Sequence, residues 1–232
     1  MIDLINYLSN KKIIIVCGHY GVGKTNISLN LSVKLRQQAG YVYTLVDLDV
    51  VNPYFRSADN IKDLQAHGID FIIPRFANTN VDTPSVPSEI YSIFADNTKR
   101  AVIDVGGDDN GAVVLGMFAD KIKNTNNNDS NDNNYEMIYV VNKYRNMTSD
   151  AESAVNLAKS IENKSKLKIT SVINNSNLGI LTTEKDIVNS FNYALKISES
   201  LNVHLIANTS VIDTDVKVQT ITRIFNYTKN FF

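Results

Sequence analysis

The sequence predicts an α/β fold of three layers, a mostly parallel twisted sheet of about seven strands with helices on both faces. Three observations predict it. Short β-branched runs alternate with longer segments of helical period, a glycine-rich turn joins the first run to the first helix, and several runs end in aspartate.

The run 12–17 is rich in isoleucine and is closed by Gly18, as befits a strand buried on both faces. Ile27, Leu31 and Leu35, with Leu29 and Val33 interleaved, make the next segment an apolar helix. Residues 41–47 read as a second strand, and 70–73 as a third preceded by a short helix over 61–66. Pro84 and Pro87 mark a stiff loop before a further helix. A fourth strand covers 101–105, and 137–141, 168–174 and 203–207 add three more. Helical patterns lie near 111–123, 149–162 and 184–201. In such sheets ligands bind beyond the carboxyl ends of the strands, which is where the glycines and aspartates fall.

Residues 124–134 break the pattern, with seven asparagines in eleven positions and no apolar member. This segment cannot pack, so it reads as a disordered surface loop inserted in one domain spanning 1–232. No repeat at a solenoid period interrupts that organisation.

Composition bounds the function. With 44% hydrophobic and 20% charged residues, 232 residues suffice for a sizeable core. A net charge of −1 and a pI near 6.3 give no chain-wide attraction to nucleic acid or anionic lipid. The single cysteine, Cys17, ends an apolar strand, where a small hydrophobe is wanted, and within one chain it can form neither a disulfide nor a cysteine metal cluster. The N-terminus lacks a basic region followed by an apolar one, and no apolar run approaches the roughly 20 residues of a membrane span. A cytoplasmic location is the expectation.

The turn itself, Gly18-His19-Tyr20-Gly21-Val22-Gly23-Lys24-Thr25, fits the phosphate-binding pattern G-x-x-x-x-G-K-[ST]. Its glycines let successive N–H groups converge on phosphate oxygens at the positive end of the helix. Lys24 is placed to reach the β- and γ-phosphates, and the Thr25 hydroxyl to ligate Mg²⁺. A glycine turn before an ordinary helix would leave a lysine in the first helical turn unexplained, since the dipole there disfavours cations. Asp47, Asp49 and Asp104 end the second and fourth strands, beside this loop, where a phosphoryl-transfer site needs carboxylates near its metal.

Residues 16–31 with Leu45-Val46-Asp47-Leu48-Asp49 resemble the MinD/ParA type of P-loop ATPase, the CobQ/CobB/MinD/ParA nucleotide-binding domain. The likeness is strongest over 13–56 and extends through Val102-Ile103-Asp104 to Asn174-Asn175. The segments 47–56 and 104–109 further resemble a bacterial branch of it known as ATP-binding proteins. The resemblance implies Mg-ATP as cofactor, held by Gly18, His19, Gly21, Val22, Gly23, Lys24, Thr25 and Asn26. It implies Asp47 in the second magnesium shell, Asp49 orienting the hydrolytic water and Asp104 as the Walker B carboxylate. Thr25, Asp47 and Asp104 thus form the metal set, with Lys24 and Asp49 catalytic.

The family's usual loop carries a lysine at the position of His19 and a glycine at Tyr20, and that lysine reaches the partner's phosphates in an ATP-bound dimer. The ATP-dependent homodimer is therefore open here, with His19 or Arg56 as substitutes for the charge. Guanine is commonly read by Asn-Lys-x-Asp. Here the strand ends Asn142-Lys143-Tyr144-Arg145, without the carboxylate. In the resembling ATPases an asparagine near Asn174 pairs with adenine, so Asn174 is the expected base contact.

His67 reads as a helix-end residue and His204 as a core histidine. Ile221, Ile224, Phe225 and Phe232 place an apolar stripe on a C-terminal helix, for which docking on the domain explains the pattern and peripheral membrane contact is the weaker reading. The leading function is an ATPase switch on an unidentified protein partner, slow without it. The alternative is an ATP-dependent small-molecule enzyme, such as a synthetase, amidase or kinase, on the same fold. Nucleic acid as a partner is disfavoured by the charge, and a metal-cluster carrier by the lone cysteine.

Overall fold

Two buried stretches form the middle of the sheet: β1 (Ile13–Cys17), apolar at every position, and β5 (Tyr135–Val141), apolar except for Glu136. A computed structural model describes residues 3–39, 42–49, 65–66, 68–73, 88–107, 109–125, 135–212 and 221–223. The other strands are β2 (Tyr43–Leu48), β3 (Phe71–Ile72), β4 (Arg100–Val105), β6 (Ser171–Asn174), β7 (His204–Ser210) and β8 (Ile221–Arg223). All pair in parallel in the order β3-β2-β4-β1-β5-β6-β7-β8. The expected seven strands are present, and β8 makes an eighth.

Alternation along β1 sends Ile13, Ile15 and Cys17 to one face and Ile14 and Val16 to the other, each into its own core. The Ile14 face is covered by α1 (Leu4–Ser9) and α2 (Lys24–Ala39), through Leu4, Leu8, Ile27, Leu31 and Leu35. The Ile13 face is covered by α3 (Glu89–Ala95), α4 (Asp109–Gly116), α5 (Ala119–Lys123), α6 (Ala151–Ser165) and α7 (Glu184–Leu201). This is the three-layer arrangement read from the sequence. Helix starts follow capping chemistry. Asp150 accepts from the Ser153 N–H at 2.8 Å, and a Thr183–Asp186 capping box opens α7, which closes on left-handed Asn202.

Four expectations change. The helix near 111–123 is two helices, because Gly116 meets the Lys164 carbonyl of α6 and Phe118 turns into the core against Tyr91 and Phe94. The six-residue α1, capped by Asp3, was not anticipated. Residues 221–223 are extended and paired with β7 instead of opening a C-terminal helix. His204 is exposed, since it begins β7 ahead of the segment that β8 covers, which starts at Asn208. Of the helix over 61–66 only Gln65 and Ala66 are described, both helical. His67, Arg56, the proline loop, residues 126–134 and the chain beyond 223 lie outside the described residues. Cys17 lies in the core, its thiol donating to the Ile138 carbonyl, and burial pushes it up to about 12, where it is inert as a nucleophile. No described helix is long and apolar enough to cross a membrane.

Candidate nucleotide site

The chain crosses from one half of the sheet to the other around β1, whose carboxyl end is flanked by β4 and β5. The loop that follows is shaped by two glycines. At Gly18, with φ +147°, a β-carbon would collide with the Val140 carbonyl on β5; at Gly23, with φ +93°, it would land on the Asn175 amide. Between them Val22 is fully buried and anchors the loop in the α2-side core. The loop runs directly into α2, whose first turn carries no acidic residue, so its N–H groups and positive end face the loop.

Lys24, 6% exposed, folds back across the loop and donates from Nζ to the His19 carbonyl at 3.1 Å. Thr25, half-exposed, donates to Asp104 Oδ2 at 2.6 Å, and Ser28, one turn on, donates to Asp104 Oδ1 at 3.3 Å. Asp104, 1% exposed at the end of β4, thus joins β4 to α2. Burial is the main cause that pushes its carboxyl up to about 6; Lys24 and the Thr25 and Ser28 hydroxyls oppose the rise and Asp49 adds to it. Asp47 is its register partner on β2, likewise buried, and accepts from the Asp49 N–H at 2.8 Å. Lys24, Thr25, Asp47, Asp49 and Asp104 therefore gather at one end of the sheet, as the sequence predicts.

Gly107 closes this side. A β-carbon there would stand 2.6 Å from the Tyr20 nitrogen and 2.7 Å from Lys24 Nζ, so the segment leading from β4 into α4 lies directly against the loop. Gly111, at the start of α4, in turn lies against Gly106. His19 is half-exposed, its Nδ1 3.1 Å from the Tyr20 carbonyl.

On the β6 side two adjacent asparagines point different ways. Asn174, 2% exposed, does not face the loop: its Nδ2 donates to Ser190 and Asn208 at 2.9 Å, and its Oδ1 accepts from Ser176. As the last strand residue it points between β7 and α7. Asn175 faces the loop instead, its Nδ2 donating to the Val22 carbonyl at 2.8 Å and its Oδ1 accepting from Thr209 at 2.6 Å. Ser28 and Asn175 lie beside the loop, and the sequence reading gave neither of them a role. Ser28 was the findable one, lying three residues after Thr25 and so on the same helix face.

The family model for the CobQ/CobB/MinD/ParA nucleotide binding domain matches residues 13–188, the stretch that holds every element of this site. The chain belongs to that family. No curated protein matches the sequence. Among solved structures, this CobQ/CobB/MinD/ParA domain is similar to the signal recognition particle receptor FtsY of Elizabethkingia anophelis in complex with GDP. Identity is 18% and the TM-score 0.50, over 86% of this chain and 57% of that one. The 54 kDa signal recognition particle protein of Aeropyrum pernix K1, in complex with GDP, aligns with TM-score 0.55 and 17% identity over 86% and 41%. Chloroplast FtsY of Physcomitrella patens gives 0.54 and 15% over 85% and 58%. The chain spans less than two thirds of each of these proteins, and at such identities the likeness shows a common fold.

Magnesium fits the donors at this site: the Thr25 hydroxyl and the Asp104 carboxylate are hard oxygens already in contact. Mg²⁺ is characteristically held by one or two carboxylates with phosphate and water completing the shell. Among the described residues no group of three or more His, Cys, Asp or Glu side chains forms a closed cage.

Proposed function

We propose that this domain is a Mg-ATP-dependent switch that hydrolyses ATP slowly and passes its nucleotide state to a protein partner. The observation that carries the reading is the packing of Gly107 on Tyr20 and Lys24, which leaves no room for the 106–111 segment to ignore what the loop holds. Lys24 leaves the His19 carbonyl to meet the β- and γ-phosphates, and His19 and the N–H groups of Gly21, Val22, Gly23, Thr25 and Asn26 complete the phosphate cradle. Thr25 and Asp104 hold the metal, with Asp47 supporting it from the neighbouring strand and fixing the backbone of Asp49. Bound magnesium neutralises charge building on the phosphoryl oxygens. Asp49, half-exposed at the end of β2, orients the attacking water.

Adenine is the proposed base, because the turn 142–145 lacks the carboxylate that guanine needs. Its reading falls to the 174–177 turn; a contact by Asn174 itself would require releasing the bonds that hold it inward.

Sedimentation of Asp49→Ala with Mg-ATP, Mg-ADP and Mg-GTP tests the switch. The variant should bind Mg-ATP without hydrolysing it and double its mass in Mg-ATP alone. A monomer in all three, with ATP binding established, would contradict the dimeric switch and bring the small-molecule enzyme to the front.

A further inference from the structure

On the β5 side of the loop the turn after Val141 is held rigidly. Asn142 Oδ1 accepts from the Tyr144 N–H at 2.9 Å, its carbonyl accepts from the Arg145 N–H and the Thr148 hydroxyl, and the Lys143 N–H donates to Ser176 Oγ at 2.9 Å. Two of the turn's side chains are tied to α7: Lys143 Nζ donates to the Asn189 carbonyl at 3.0 Å and the Tyr144 hydroxyl to the Asp186 carbonyl at 2.8 Å. Arg145 is sent the other way. Its side chain lies across Gly21, with Nε 3.8 Å and Cζ 4.0 Å from where a β-carbon on that glycine would stand. Arg145 is exposed, and among the described residues no carboxylate pairs with its guanidinium.

A guanidinium lying beside a loop of converging N–H groups, with no acidic neighbour to satisfy it, is matched to an anion carried by that loop. We propose that Arg145 is a nucleotide-binding residue that contacts the phosphate chain from within the same subunit. This rests on the nucleotide reading above and adds to it a cation on the side of the loop opposite Asp104. Because the turn is fixed by its own hydrogen bonds and by α7, the backbone of Arg145 is placed beside the loop before the nucleotide arrives, and only its side chain remains to be ordered by the contact.

Equilibrium binding of Mg-ATP and Mg-ADP to Arg145→Lys and Arg145→Gln tests this, with unchanged far-UV circular dichroism as the check on folding. A charge-assisted bond of roughly 1.5–3 kcal/mol corresponds to about a 10- to 150-fold loss of affinity in Arg145→Gln. Arg145→Lys, which keeps the charge, should stay within about 10-fold of the parent. Equal affinity of Arg145→Gln and the parent would overturn the proposal. So would Arg145→Gln binding as well as or better than Arg145→Lys, because a planar neutral group would then serve and the role would be stacking. Lys24→Ala separates the two levels: if it binds Mg-ATP normally, the loop reading itself fails; if it loses binding while Arg145→Gln does not, only the assignment of Arg145 fails.

Discussion

At the residue scale the site turns on Asp104, a carboxylate whose folded pKa is raised to about 6 from an ordinary 3.8. Between these values the folded protein binds the proton and the unfolded chain does not, so the nucleotide-free protein loses stability as pH rises from about 4 to about 6. Above that window the full cost is present, at most about 3 kcal/mol from the size of the shift. Asp104→Asn should therefore raise the Tm at pH 7.5 by more than it does at pH 4, since one of the Thr25 and Ser28 hydroxyls can accept from the new Nδ2 while the other goes on donating to Oδ1. The same variant should lose magnesium-dependent nucleotide binding, and in the parent that binding should weaken below about pH 6 as protons compete with the metal. Thermal melts and Mg-ATP titrations across pH check both; equal Tm gains at the two pH values would contradict the assignment. This residue was legible in the sequence because an aspartate closing an apolar strand beside a phosphate loop has few other uses. Asn174 and Asn175 were not separable, because which one faces the loop depends on where β6 ends, and two adjacent asparagines carry no signal for that.

At the scale of elements, the loop is a strap held at both ends. Gly18 sits against β5, Val22 fills the core beside β1, and Asn175 ties the Val22 carbonyl to β6 and, through Thr209, to β7. Asn175→Ala would leave the Val22 carbonyl and the Thr209 hydroxyl without that partner in a buried setting. A loss of about 1–3 kcal/mol in urea unfolding is expected, with weaker Mg-ATP binding. Unchanged stability would show that the tie is dispensable. The long, periodic elements, such as α7 over Glu184–Leu201, stand where the sequence puts them, because an amphipathic run with a cap at each end has one solution. Several short ones do not. Six-residue α1 has too few turns to show a period, and the break at Met117–Phe118 follows from Gly116 meeting α6, a contact between segments about 50 residues apart. β8 was misread for a related reason, since three residues whose pairing is entirely tertiary look the same in a strand and in an apolar helical stripe.

At the scale of the whole molecule, the parallel order places the acidic ends of β2 and β4 on one side of the loop and the asparagine-rich turns after β5 and β6 on the other. On the proposed function, metal and reacting phosphate belong to one half of the sheet, and Arg145 and base reading to the other. Segment 106–111, which leads into α4 and packs through it on α6, is the route by which the first half reaches the surface helices. Hydrogen–deuterium exchange over residues 106–116 with no nucleotide, Mg-ADP and Mg-ATP measures that route most directly. Slower exchange there in Mg-ATP than in Mg-ADP is the result the switch requires. Identical exchange in all three, with both nucleotides shown to be bound, would contradict it.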